Sequence, residues 1–174
     1  MRQNFGQIWV ETVIYTLVGL AIIGVLLSIV KPAIDEKKDQ IILQQTQEML
    51  NNIDGEIENV VFYGTGNSRA IELSIKKGKL EVNTENDSIV FFINSLYKFS
   101  EPNQTVEIGK IKILTLEKTK TYDIFMTLDY KDKLNLTWEG RENKQTFQPS
   151  PTPYSIVIKN LGKGESDLIN IDIS

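Results

Sequence analysis

Glu11 is the residue whose position alone predicts chemistry. It is the last charged side chain before 19 consecutive uncharged residues, Thr12–Val30, in which Leu, Ile, Val, Ala and Gly dominate. A carboxylate carried into hydrocarbon by such a stretch either pairs or loses its charge. The rest of the chain offers little catalytic chemistry. It has 174 residues without a cysteine or a histidine. That composition removes disulfides, thiol catalysis, Ser–His–Asp triads, Cys/His zinc sites and haem held by His or Cys. Gly64-Thr65-Gly66 lacks the third glycine and following helix of a dinucleotide loop and reads as a hairpin turn. Asp129-Tyr130-Lys131-Asp132 lacks the Gly and terminal Glu of a calcium loop. No catalytic residue, metal or cofactor is expected, and an anchored hydrolase using carboxylates alone is the least favoured reading. A net charge of −4 and a pI near 5.0 lack the basic footprint of a nucleic-acid binder.

The element that must carry Glu11 is a helix. The apolar-rich run from Gln7 to Val30 reaches about 35 Å at about 1.5 Å per residue, enough to cross the hydrocarbon core of a bilayer. A buried helix of a soluble core would usually show a polar stripe, and here Thr, Ser and Tyr are only scattered. Residues 31–174 hold 18 of the 19 basic and 22 of the 23 acidic side chains. One greasy helix thus precedes a charged body. A conventional secretory signal would need a small-residue cleavage site after the run, whereas Lys31-Pro32-Ala33-Ile34-Asp35 follows. Processing is therefore expected ahead of it, in Met1-Arg2-Gln3-Asn4-Phe5-Gly6.

This N-terminus resembles a type IV prepilin, and more specifically the archaeal type IV pilins. In that family a short leader ends in Gly, a membrane peptidase cuts after it, and an acid stands fifth in the mature chain. A cut between Gly6 and Gln7 puts Gln7 first and Glu11 fifth. The sequence departs from the family pattern with Trp9 third, Tyr15 ninth and Phe5 before the Gly. The match covers roughly residues 1–30. Glu11 reads either as an interfacial acid that reaches water and is favoured by the helix dipole, or as the partner of a new α-amine on Gln7, four residues and one turn back. The resemblance implies that a neighbour's amine then takes over, setting axial register in a filament. The expected partners are identical or related pilin subunits, the prepilin peptidase, membrane lipids before assembly and, indirectly, an assembly ATPase and its platform protein.

Small residues on the helix fall on two opposite faces at about 100° per residue: Thr12, Thr16 and Gly19 on one, Ala21, Gly24 and Ser28 on the other. Small faces allow close helix packing in a membrane. Orientation contains a conflict. Lys31, Lys37 and Lys38 after the helix outnumber Arg2 before it, and the positive-inside rule would leave the body in the cytoplasm. The resemblance implies a cytoplasmic N-terminus and an exterior body, and that orientation is adopted.

Beyond Pro32, where a kink is expected, a second helical half spans residues 33–57. Its apolar stripe reads Ile34, Ile41, Ile42, Met49, Ile53 and Ile57, and Asp54-Gly55 is a candidate early stop. From residue 58 the pattern changes to strands, read at Glu58–Tyr63, Arg69–Lys76, Lys79–Val82, Ser88–Asn94, Lys110–Glu117, Thr121–Tyr130, Lys133–Glu139, Thr146–Phe147, Tyr154–Lys159 and Leu168–Ile173. Gly162-Lys163-Gly164 reads as a turn, and Pro149–Pro153 as a stiff connector between edge strands. Three N-glycosylation sequons begin at Asn86, Asn103 and Asn135, the last within a strand.

The expected fold class is α+β: a leader (1–6), a long N-terminal helix (7–57) and an antiparallel β-sandwich or jelly-roll-like domain (58–174). The expected function is that of a pilin, membrane-held and then part of an extracellular filament. The alternative is a single-pass anchored binding or adhesion protein that never polymerises.

Overall fold

The computed structural model describes residues 5–164 and 168–174. Among the described residues one helix, α1 (Phe5–Tyr63), is followed by ten strands. The chain divides into two compact units, Met1–Lys38 and Asp39–Ser174, and α1 contributes to both. Residues 5–38 of the first unit are helical. Pro32 lies inside α1; it has no N–H to give the Ser28 carbonyl, yet helix continues on both sides.

α1 does not stop at residue 57. Residues 58–63, read as a strand because Val, Phe and Tyr cluster there, continue the helix. Val60 extends the buried face of Leu50, Ile53 and Ile57 by another turn. Termination comes at Gly64, whose φ of 87° gives the left-handed step that ends many helices, with its N–H on the Val61 carbonyl at 3.2 Å. Gly64-Thr65-Gly66 is thus a helix-to-strand turn rather than a hairpin. Asp54-Gly55 is no stop either: the Asp54 carboxylate accepts the Tyr130 hydroxyl at 2.9 Å.

The strands are β1 (Ser68–Leu73), β2 (Lys79–Asn83), β3 (Ser88–Ser95), β4 (Thr105–Ile108), β5 (Ile111–Glu117), β6 (Tyr122–Asp129), β7 (Leu134–Trp138), β8 (Lys144–Phe147), β9 (Tyr154–Lys163) and β10 (Ile169–Ile173). They form a four-stranded sheet, β1-β9-β10-β7, and a six-stranded sheet, β4-β5-β6-β3-β2-β8. The architecture is α+β, and its pairing is mixed rather than wholly antiparallel: β10 runs parallel to β7. The chain leaves β7 for the far edge of the other sheet at β8 before returning to β9, and such a crossover permits parallel alignment. The Pro149–Pro153 connector therefore joins an edge strand, β8, to an interior one, β9. β4 escaped the sequence reading. It is four exposed residues long with two apolar side chains, too short to show alternation.

One apolar core joins α1 to both sheets. In the larger sheet, Leu80, Phe91, Met126 and Ile113 form one row across four strands, and Val82, Ile89, Leu128 and Ile111 the next. In the smaller sheet Ile156, Ile158, Ile171 and Ile173 point inward, matching their alternation with outward-facing neighbours. The helix register differs from the expected stripe. Leu43, Thr46, Leu50, Ile53, Ile57 and Val60 face inward, while Ile34 and Ile41 are about half exposed. The body segment of α1 starts beside the end of β3, where Asp39 accepts the Leu96 N–H at 2.8 Å and the Lys77 ammonium at 2.5 Å. It reaches the opposite end of that sheet at Asp54, beside Tyr130 and Lys110.

Candidate functional site

The side chains from Trp9 to Val30 are exposed, Gly19 alone being half-buried. Trp9 is 70% and Leu27 62% exposed. By length and composition this stretch can cross a membrane.

Within this helix Glu11 has an intrachain partner. The Tyr15 hydroxyl donates to Glu11 Oε1 at 3.3 Å. The two residues stand four apart, one helical turn, where side chains meet. Val10, Glu11, Ile14 and Tyr15 lie together on one open face of the helix. By sequence pattern Tyr15 is only a departure from the pilin-like N-terminus. The signal that would have found its role is the i, i+4 spacing of an acid and a phenol.

Two hydroxyls on this helix are satisfied by its own backbone. Thr16 returns its hydroxyl to the Thr12 carbonyl at 2.8 Å and Ser28 to the Val25 carbonyl at 2.7 Å. Neither hydroxyl then needs water. A Cβ added at Gly19 or Gly24 would meet nothing within 4 Å, so both positions are open to a close neighbour. Gly6 and Gln7 lie in the first turns of α1, and leader residues 1–4 lie outside the described residues.

The three sequons differ. Asn86 is exposed in the turn between β2 and β3, and Asn103 is exposed before β4 with a φ of 61°. Asn135 sits in β7, half-buried, and its amide donates to Asn170 Oδ1 at 2.8 Å. The hydroxyl of its Thr137 is also engaged, on Asp172 at 2.8 Å.

The body carries one further polar cluster, at the far end of its α1 segment. Lys110 bridges Asp54, at 3.2 Å, and Glu58. Burial pulls the Lys110 ammonium down, but hydrogen bonds to Glu58 and Asp54 outweigh it and hold it above its ordinary range. Burial pushes the Tyr130 phenol well up, and the Asp54 carboxylate adds to the effect. A groove of about 560 Å³ lies alongside, floored by Ile57, Val61 and Leu134 and flanked by Lys110 and Lys133. Phe62 at its rim is 82% exposed. Among the described residues no three acidic side chains converge as metal ligands.

Comparison of the chain with protein-family models, with curated proteins and with solved structures finds no match.

Proposed function

We propose that this chain is a membrane-held, pilin-like filament subunit. A leader ending at Gly6 is removed, the helix from Gln7 stays in the membrane, and assembly moves it into a filament core with identical or related subunits. Thr12, Thr16 and Gly19, and oppositely Ala21, Gly24 and Ser28, are the close-packing faces, and Glu11 sets register by meeting a neighbour's Gln7 amine. The body, its two sheets taken as a sandwich around the shared core, forms the exterior and carries adhesion or protection. The peptidase, ATPase and platform protein of such a system act on the chain, which need hydrolyse nothing.

The observation that carries this reading is the exposed, uncharged helix with a single acid at its start, joined to a body with its own core. Hydrocarbon or neighbouring apolar helices are the two environments that cover such a surface. The test is N-terminal sequencing of native protein from the membrane and shed fractions. A chain starting at Gln7, with filaments lost in Glu11→Ala while membrane insertion persists, is the expected result. An intact Met1, or normal filaments from Glu11→Ala, overturns it.

A second reading is favoured by one observation. Because Tyr15 already gives Glu11 a hydrogen bond within its own helix, the acid has a partner without any neighbour. A single-pass anchored binding protein, uncut and unpolymerised, is consistent with that geometry.

A further inference from the structure

The Tyr15–Glu11 contact bears on how the acid is carried at all. Thr12–Val30 holds no charged side chain, so no cation of that stretch can pair with Glu11. The Tyr15 hydroxyl is a side-chain donor placed on its carboxyl group. Both residues are exposed, so the contact is not imposed by packing around it. A phenol is amphipathic and is common at membrane interfaces, where its ring lies in hydrocarbon and its hydroxyl finds a polar partner. The helical spacing lets the ring of Tyr15 lie along the apolar run while its hydroxyl turns back one turn to the acid.

We propose that Tyr15 is a positioning residue for Glu11, its hydroxyl compensating the carboxyl group when the helix enters the membrane. The contact engages Oε1 of Glu11 from the residue one turn further along the helix. An incoming cationic or hydrogen-bonding group therefore meets a carboxyl group already oriented. This inference rests on the membrane placement of the helix and is independent of polymerisation.

The test is a double-mutant comparison in the full-length chain, synthesised with membrane vesicles and scored at neutral pH by the fraction that floats with the vesicles. On hydrophobicity alone, Tyr15→Phe removes a hydroxyl and raises insertion. With a compensating hydroxyl the sign depends on Glu11. Tyr15→Phe lowers the bound-to-free ratio about threefold when Glu11 is present, the factor typical of a hydrogen bond between membrane side chains, and raises it when Glu11→Ala is also made. A merely structural role for the ring moves both backgrounds the same way. Insertion raised or unchanged by Tyr15→Phe in both backgrounds overturns the proposal alone. Failure of the unmutated chain to float with the vesicles overturns the membrane placement and the proposal with it.

Discussion

The Asn160 side-chain amide donates to the Val60 carbonyl at 2.9 Å, across one hundred residues of sequence. Val60 lies in the last turn of α1, where carbonyls have no helical partner, and Asn160 lies in β9, 2% exposed. The same side chain accepts the Gly162 N–H at 2.7 Å, at the point where the β9–β10 register shifts and β9 carries Leu161 as an extra residue. The glycine run read as a turn is therefore partly a bulge: Gly162 belongs to β9 with a φ of 91°. One buried amide ties the end of the helix to the bulge.

Asn160→Ala leaves the Val60 carbonyl and the Gly162 N–H buried without this partner, and is expected to cost about 2–4 kcal/mol. Urea unfolding of the full chain in detergent, followed by circular dichroism, measures it. Asn160→Asp keeps the acceptor but loses the donor. Its buried acid should ionise only at raised pH, so the variant gains stability as pH falls, when a protonated carboxyl can again donate to Val60.

Gly78 and Gly109 separate conformational strain from collision. Both have positive φ, 85° and 61°. A Cβ at Gly78 would lie 2.5 Å from the Phe92 carbonyl oxygen and 2.8 Å from the Phe91 ring, whereas one at Gly109 meets nothing within 4 Å. Gly109→Ala should cost about 1–2 kcal/mol, the left-handed penalty alone. Gly78→Ala adds a clash with backbone and should exceed it by about 1–3 kcal/mol. Equal unfolding midpoints for the two variants would contradict this.

Asp87 gives a pH signature. Burial raises its pKa above the ordinary value, the Leu136 N–H opposes this, and Glu142 and Asp132 reinforce it. A raised carboxyl contributes stability that is full below its unfolded pKa and is lost as pH rises through the folded one. Asp87→Asn keeps an oxygen for Leu136 and suits the φ of 48°. It should therefore raise the unfolding midpoint near neutral pH and leave it unchanged in strong acid. Asp129 carries the opposite sign. Hydrogen bonding to Lys112 lowers its pKa, so Asp129→Asn should lower stability near neutral pH and have no effect in strong acid.

The sequons should not be equivalent. In a host that glycosylates exported chains, peptide mass spectrometry should find glycans at Asn86 and Asn103 and none at Asn135, whose amide and Thr137 hydroxyl are both engaged. Asn170→Ala frees the Asn135 amide. Heavy modification of Asn135 in the unsubstituted chain would show that addition precedes folding of β7.

Much of the architecture was legible because it rests on local pattern. The uncharged run Thr12–Val30 allows no other element than a long apolar helix, and alternation located nine of the ten strands, as in Ile156 and Ile158 against Val157 and Lys159. Glu11 stood out for the same reason, as a charge where composition forbids one. What pattern could not decide is where two readings bury comparable apolar surface. Ile41-Ile42-Leu43 and Met49-Leu50 offer neighbouring apolar residues at each turn, and the packing of both sheets on α1 selects Leu43 and Leu50 over Ile41. Residues 58–63 suit a strand by composition and become helix because Val60 completes that face. The parallel β7–β10 pairing, the Asn160 bond to Val60 and the Asp39 contacts with Lys77 and Leu96 join residues far apart in sequence, and only the closed core brings them together. Tyr15 is the exception: its bond to Glu11 is local, one helical turn, but a phenol reads as apolar by pattern, and the direction of its hydroxyl is visible only in three dimensions.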